Sequence, residues 1–418
     1  MQYKVLFKRC LLAIVVMFVV TSLQAQREMK TINDNWEFRK SIDESWESVN
    51  LPHTFNIDAY QQRNYYQGKG FYRRTLVLPE IVAERRYYMK IDAASKAANI
   101  RVNGKEVGSH VGGYTACIVD ITEYIRKENL IEITVDNGRK DITPISADFT
   151  FWGGIYRDVW LISTPKQHFN MSNMGSDGIF ISTPVVNEKR GVLKVKCEVT
   201  NDSHESSILE VRSAIYSPQG KLLQTIKQKQ KLKSGETYIF ENTSGAIESP
   251  DLWSPETPSL YLVKTTLVDP KSGKLLDEKN HKVGFRWFTF DGSKGFFLNG
   301  KSYKLRGLNR HQDQAPAGVA LDDEAHRRDI FLMKELGCNF IRISHFPQDD
   351  AILEMCDELG LLAWEEIPII NIVPNTPGYD DNCEYNLREM IRQHYNHPSI
   401  CFWGLFNELK TIGDNPTE

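Results

Sequence analysis

No two cysteines stand as C-x-x-C, and the six that follow residue 25 (Cys117, Cys197, Cys338, Cys356, Cys383 and Cys401) are scattered. That spacing excludes a zinc ribbon or thioredoxin-like motif and gives no disulfide framework. Cys197, Cys338 and Cys401 sit in apolar stretches, where a thiol packs as a small hydrophobe; one incidental bridge stays open. An excess of one charge sign is also lacking. The formal net charge is -3 over 418 residues, 25% of them charged. There is thus no electrostatic case for nucleic acid or an anionic membrane surface as partner. Beyond residue 25 no apolar run is long enough to span a bilayer.

What is present begins with a leader. Lys4, Lys8 and Arg9 precede the apolar run Leu11–Val20, and Thr21-Ser22-Leu23-Gln24-Ala25 supplies a small-residue cleavage region ending on Ala25. This is the order of a signal peptide. Cys10 lies before the apolar run, so it is not the acylated cysteine of a lipoprotein. The mature protein is expected to be exported, periplasmic or secreted, and free of the membrane after cleavage; an uncleaved anchor is the alternative. Aromatic residues make up 11%, with 8 Trp and 17 Tyr. Flat rings suit pyranose faces and β-rich cores equally, so this decides nothing.

The length implies about two or three domains. Residues 26–165 carry short alternating runs such as Phe71–Leu78, Ile100–Asn103 and Ile131–Val135, with turn signals at Asn103-Gly104 and Asn137-Gly138. The pattern predicts a β-sandwich of jelly-roll type. Residues 166–285 repeat the alternation, in Gly191–Thr200 and Tyr261–Val268, with a hairpin at Ser217-Pro218-Gln219-Gly220. Their length fits an immunoglobulin-like sandwich, in which Trp253 is a packing residue. From residue 286 strands alternate with helices: Lys304–Asn309, helix Asp323–Leu336, Asn339–Ser344, helix Asp350–Leu359, Leu361–Glu366, helix Cys383–Tyr395, Ser399–Asn407. Four such units read as the first half of a (β/α)8 barrel over residues 286–418.

Barrel enzymes work at the C-terminal ends of their strands. There the sequence places Asn309, Arg310 and His311, then His345, then Glu365 and Glu366, then Asn407 and Glu408. Glu408 ends the apolar run Ile400–Phe406; burial there raises a carboxyl pKa, as a general acid near neutral pH requires. Asn407 can hold a sugar hydroxyl by its amide. The alternative is that Glu408 simply caps a buried strand.

Asn396-His397-Pro398-Ser399, the apolar run with Trp403-Gly404, and Asn407-Glu408 resemble the acid/base signature of glycoside hydrolase family 2. That family holds β-galactosidases, β-glucuronidases and β-mannosidases. Four more blocks carry the resemblance: Leu51-Pro52-His53, Tyr65-Tyr66-Gln67-Gly68, Phe151–Val159 and Asn339–Pro347. The resemblance implies the same barrel, with Glu408 as proton donor. It implies sugar-hydroxyl ligands in His345 and His311, and in Asp148, which would reach in from the N-terminal sugar-binding domain; a turn-capping Asp148 is the alternative. His397 matches a family histidine near the site, with capping as the alternative. Arg342 is expected to tune charge, and Glu365 and Glu366 to neutralise Arg342 or Arg310. Some β-galactosidases of the family bind magnesium through a Glu-x-His after the third strand. Ile369–Pro374 offers neither residue, so no metal and no cofactor is expected.

The implied activity is that of a retaining exo-β-glycosidase acting on an oligosaccharide or glycoside. The Arg310-His311 pair makes a β-galactoside the leading substrate, with β-glucuronidase and β-mannosidase open. The family's nucleophile lies on a later barrel strand, so it is expected to be missing from this chain. The chain would then be an inactive N-terminal portion of a longer enzyme, whose homo-oligomeric state stays open. A reading of another class is a carbohydrate-binding protein without catalysis.

Overall fold

The computed structural model describes residues 26–409; the expected leader at 1–25 lies outside the described residues. Through the first two modules the alternation of the sequence decides what is buried. In Glu128–Asp136 the side chains of Asn129, Ile131, Ile133 and Val135 turn inward and their neighbours outward. This strand lies in a six-stranded sheet ordered Glu47–Val49, Trp36–Arg39, Lys69–Val77, Glu128–Asp136, Ala97–Val102, Lys105–Val111. A four-stranded sheet of Glu28–Thr31, Val159–Pro165, Arg85–Ile91 and Cys117–Asp120 shares its core, which includes Trp36, Tyr72, Met89, Ile100 and Ile133.

Asn103 and Gly104, with φ of 52° and 76°, make the expected tight turn. Asn137-Gly138 does not turn. Asn137 is buried; its side chain accepts from the Gly68 amide at 2.9 Å and donates to the Phe151 carbonyl at 2.7 Å. It braces the loop 137–153, which leaves the sandwich for the third module.

The second module packs the sheet containing Gln167–Phe169, Ile179–Val186, Arg190–Asn201 and Glu236–Thr243 against Leu222–Leu232, Ser207–Tyr216, Tyr261–Val268 and Leu275–Val283. Leu193, Val195, Val211, Phe240, Val263 and Phe285 form its core. Trp253 is fully buried, as expected of a packing residue, and its indole N–H donates to the Asp357 carbonyl of the third module at 2.9 Å.

There four parallel strands run in order: β1 (Gly307–Arg310), β2 (Phe340–Ile343), β3 (Leu362–Glu366) and β4 (Ile400–Gly404). Helices α1 (Asp323–Glu335), α2 (Asp350–Leu359) and α3 (Tyr379–Gln393) connect them. The whole is a mostly-β multidomain protein with a partial TIM barrel. Asp322 and Asp349 cap α1 and α2, accepting from the amides of Ala325 and Ala351. Gly360, at φ 75°, ends α2.

Strand β1 runs Gly307–Arg310 rather than the expected Lys304–Asn309, and three further differences from expectation have physical causes. Helix α3 starts at Tyr379 rather than Cys383, because Gly378 turns the chain at φ 80° and Tyr379 is buried. Strand β4 stops at Gly404; Asn407 keeps one bridge, to Ile370. Trp403, Leu405 and Phe406 are exposed, since β4 is an outer strand of this sheet. An unanticipated hairpin, Phe288–Asp291 with Gly295–Leu298, packs Phe296 and Leu298 with Leu362 and Cys401 at the N-terminal ends of the strands.

The six cysteines are free. No helix among the described residues is long and apolar enough to cross a membrane.

Candidate active site

Parallel strands bring their C-terminal ends to one rim, and Glu366 of β3 is the centre of it. The side chain is fully buried. Arg342 of β2 donates to it from Nε at 3.1 Å and from a terminal nitrogen at 2.9 and 3.0 Å. His345 Nδ1 lies 2.6 Å away and the Trp364 indole donates at 2.7 Å. The same guanidinium nitrogen donates to Asn407 Oδ1 at 2.8 Å. One network thus ties the ends of β2, β3 and β4. The expectation that Glu366 neutralises Arg342 holds.

The imidazoles of His311 and His345 meet edge to face, with centroids 5.2 Å apart. Phe149 covers both, at 5.7 Å from His311 and 6.2 Å from His345. His311 is exposed at the rim, yet crowding by its neighbours and the nearby His345 push its pKa below the usual value. Asp148, also exposed, is near enough for its charge to oppose that shift. The loop 137–153 therefore brings Asp148 to the barrel rim beside His311 and His345.

Lys96 holds this loop from behind. It is 2% exposed, and its Nζ donates to the carbonyls of Arg139 at 3.0 Å and Pro144 at 2.6 Å. Burial lowers its pKa to about 8. The Thr143 hydroxyl donates to the Pro368 carbonyl of the barrel. Sequence reasoning missed Phe149 and Lys96. The only signal was a lone lysine in the alanine-rich stretch Ala93–Ala98.

Two expected ligands lie elsewhere. Arg310 is 5% exposed and turns outward from β1, bonding Asp329 at 2.7 and 3.0 Å, Gln348 at 2.6 Å and His326 at 3.1 Å. Strand alternation separates it from His311. His397 precedes β4 and so sits at the opposite end of the strands; its Nδ1 meets Asp357 at 2.6 Å. Burial pulls the His397 pKa down, and Asp357 outweighs it to a net rise. Glu365 pairs with His394 at 2.8 Å, not with Arg310.

Glu408 follows Asn407 at the rim with φ 50°, a backbone region uncommon for a non-glycine residue. Its side chain is exposed, so the burial expected to act on it does not act here. Asn407 Nδ2 makes no hydrogen bond among the described residues. After β3 the segment Ile369–Pro374 supplies no carboxylate or imidazole. Glu366 already spends its oxygens on Arg342, His345 and Trp364, and no group of three metal-ligating side chains occurs among the described residues. The rim offers hydrogen-bonding groups of Asp148, His311, His345 and Asn407, a carboxyl at Glu408 and an aromatic wall. Such a set suits a polyhydroxylated ligand.

Three family models match the chain in succession. Residues 13–165 match the sugar binding domain of glycosyl hydrolases family 2, residues 177–286 the model named glycosyl hydrolases family 2, and residues 291–416 its TIM barrel domain. The chain is 36% identical over 413 residues to a β-glucuronidase of Bacteroides fragilis, across 95% of this chain and 59% of that protein. It is 34% identical over 398 residues to a β-galactosidase of Thermoanaerobacterium thermosulfurigenes, across 91% of this chain and 54% of that protein. The solved structure of Bacteroides uniformis β-glucuronidase 2, covalently bound to cyclophellitol-6-carboxylate aziridine, matches with TM-score 0.90 and 58% identity, over 92% of this chain and 47% of that one. The chain spans about half the length of these relatives.

Proposed function

Because the chain belongs to glycoside hydrolase family 2, we propose that its rim binds the terminal non-reducing sugar of a β-glycoside, and that the whole protein is a retaining exo-β-glycosidase. The carrying observation is the junction of Arg342, Glu366 and Asn407 beside Glu408. It places a fixed hydrogen-bonding floor next to a carboxyl group. Glu408 is the proton donor to the glycosidic oxygen and later the base; Asn407, His345, His311 and Asp148 hold ring hydroxyls.

The substrate we favour is a β-glucuronide, in place of the β-galactoside expected from the sequence. The glucuronidases exceed the galactosidase in identity, and the Arg310-His311 pair that favoured galactose is split by the fold. The ligand of the Bacteroides uniformis enzyme carries a 6-carboxylate, as a uronic acid does.

In retaining enzymes a second carboxylate about 5 Å from the acid attacks the anomeric carbon. Glu366 is a poor candidate, since its lone pairs are taken by Arg342, His345 and Trp364. We assign the attack to a carboxylate outside the described residues. The jelly-roll and immunoglobulin-like classes of the two sandwiches, and export to the periplasm or medium, belong to the same reading. Their support is the strand order and the leader pattern of residues 1–25.

The test is a paired assay on aryl β-glucuronide and aryl β-galactoside, using this chain extended by the C-terminal segment of the Bacteroides uniformis relative. Preference for the glucuronide is expected. Preference for the galactoside would restore the first substrate. No turnover by a folded chimera, with sugar binding retained, would favour the carbohydrate-binding class.

A further inference from the structure

Strand β3 ends in two consecutive carboxylates, Glu365 and Glu366, both fully buried. Alternation sends them to opposite faces. Glu366 enters the rim, and Glu365 goes out to the helix layer. There its Oε2 lies 2.8 Å from His394 Nδ1, and His394 Nε2 lies 3.1 Å from Asp350 Oδ1. We propose that His394 is a positioning residue for Glu366, clamping the end of β3 from behind through Glu365. This rests on the glycosidase reading above.

A neutral imidazole has one N–H and can donate to one carboxylate only. His394 faces a carboxylate at each ring nitrogen, so the geometry calls for the imidazolium. The ring is 4% exposed and follows α3 as its C-cap, where a cation is favoured by the helix dipole. Other charged groups line the cavity beside His394: Asp349 and Glu354 next to Asp350, Asp92 and Arg157 from the first sandwich, and Asp323 and Arg327 of α1. Helix α2 contributes Asp350, Asp357 and Cys356, the turn before β4 contributes His397, and the first sandwich contributes Lys90, whose charge acts on Asp350. Burial alone would lower the His394 pKa, and Glu365 with Asp350 raises it to about 10.

Glu365 has no second anchor. Its Oε1 is buried without a partner, so His394 is its one hydrogen-bonded contact among the described residues. Removing the imidazolium leaves a buried, unpaired carboxylate, which must move or take up a proton. Glu365 and Glu366 share a peptide bond. Movement of one turns the other away from Arg342 and His345, and with Arg342 goes Asn407.

Two arms test this. In the 418-residue chain, imidazole nitrogen NMR of His345, assigned with His345→Gln, reads the Glu366 contact. His394→Gln should displace the His345 signals and His394→Arg, which keeps a cation, should bring them back toward the parent. A folded His394→Gln chain with parent His345 signals would overturn the proposal. In the chimera, His394→Gln should lower kcat/KM roughly 10- to 100-fold, the scale of a small misplacement, and His394→Arg should recover part of it; unchanged kcat/KM would equally overturn it. If His394→Gln does not fold, Asp350→Asn removes the more exposed carboxylate of the chain. It should lower the pH at which loss of the His394 proton displaces the His345 signals, and an unmoved midpoint would count against the clamp. If the parent chimera turns over neither aryl glycoside, the glycosidase reading fails while the NMR arm still decides the clamp.

Discussion

Arg342 and Asn407 are joined by a 2.8 Å hydrogen bond from the same guanidinium nitrogen that grips Glu366. The orientation of the asparagine next to Glu408 is thus inherited from a charge pair one strand further in. A lysine ammonium lacks the planar fork by which Nε and a terminal nitrogen grip Glu366 together. Arg342→Lys should therefore destabilise the chain by roughly 2 kcal/mol, the scale for hydrogen bonds to a charged group. Urea denaturation measures this; an unchanged midpoint would show that Glu366 needs no fork.

Glu408→Gln in the chimera should abolish most turnover of glycosides with poor leaving groups. Aryl glycosides need little proton donation, so bond cleavage there should suffer less. Azide should restore part of the rate by attacking the glycosyl-enzyme without base help. Product analysis for glycosyl azide checks this, and a parent-like rate on a disaccharide would remove Glu408 from the acid role.

Lys96→Met keeps the stem and deletes the bonds to Arg139 and Pro144. The loop carrying Asp148 and Phe149 should loosen, raising KM in the chimera and speeding protease cleavage between residues 139 and 151. Equal cleavage rates in parent and variant would show that the loop is held by the barrel contacts alone.

His394 has a folded pKa near 10, above its ordinary 6.5. Below pH 6.5 both folded and unfolded chains carry the proton, and the stabilisation is complete. As pH rises toward about 10 the unfolded chain has lost the proton and the folded one still binds it, so stability falls. Thermal melts from pH 6 to 10 should decline in the parent and decline less in His394→Gln. Parallel curves would place the titration elsewhere.

The basic, apolar and small-residue order of residues 1–25 predicts export with cleavage after Ala25. Mass spectrometry of the exported protein should find an N-terminus at Gln26. An intact Met1 on cytoplasmic material would contradict it.

Strands β2 to β4 were legible because each is a mostly apolar run closed by polar residues, and parallel strands must end on one side; β1, Gly307-Leu308-Asn309-Arg310, has no such run and was placed only from the regular order of the units. That rule located His345, Glu366 and Asn407 correctly. It misplaced Arg310, because strand ends alternate faces and one residue of register separates an inward from an outward side chain. His397 was misjudged for a different reason. It was expected from its match to a family histidine, but it lies before its strand, and position along the strand sets the end on which a residue sits. Phe149 and Lys96 were beyond local pattern. Their importance comes from a loop of another module meeting the rim, and no spacing within the loop records that contact.

That meeting makes the cleft a composite. Its floor, the Arg342–Glu366 pair, is fixed by the barrel strands, while its wall at Phe149 is fixed by Lys96 and Asn137 in the first sandwich. The wall also leans on the barrel, through Thr143 to Pro368 and Phe149 to Phe346, but its Lys96 and Asn137 anchors can be changed without touching the floor. A change in residues 139–151 can reshape which sugar fits while leaving the charged floor untouched. On the proposed glycosidase reading, substrate choice and chemistry become separable traits of one site, and a graft of this loop between relatives should alter one without the other.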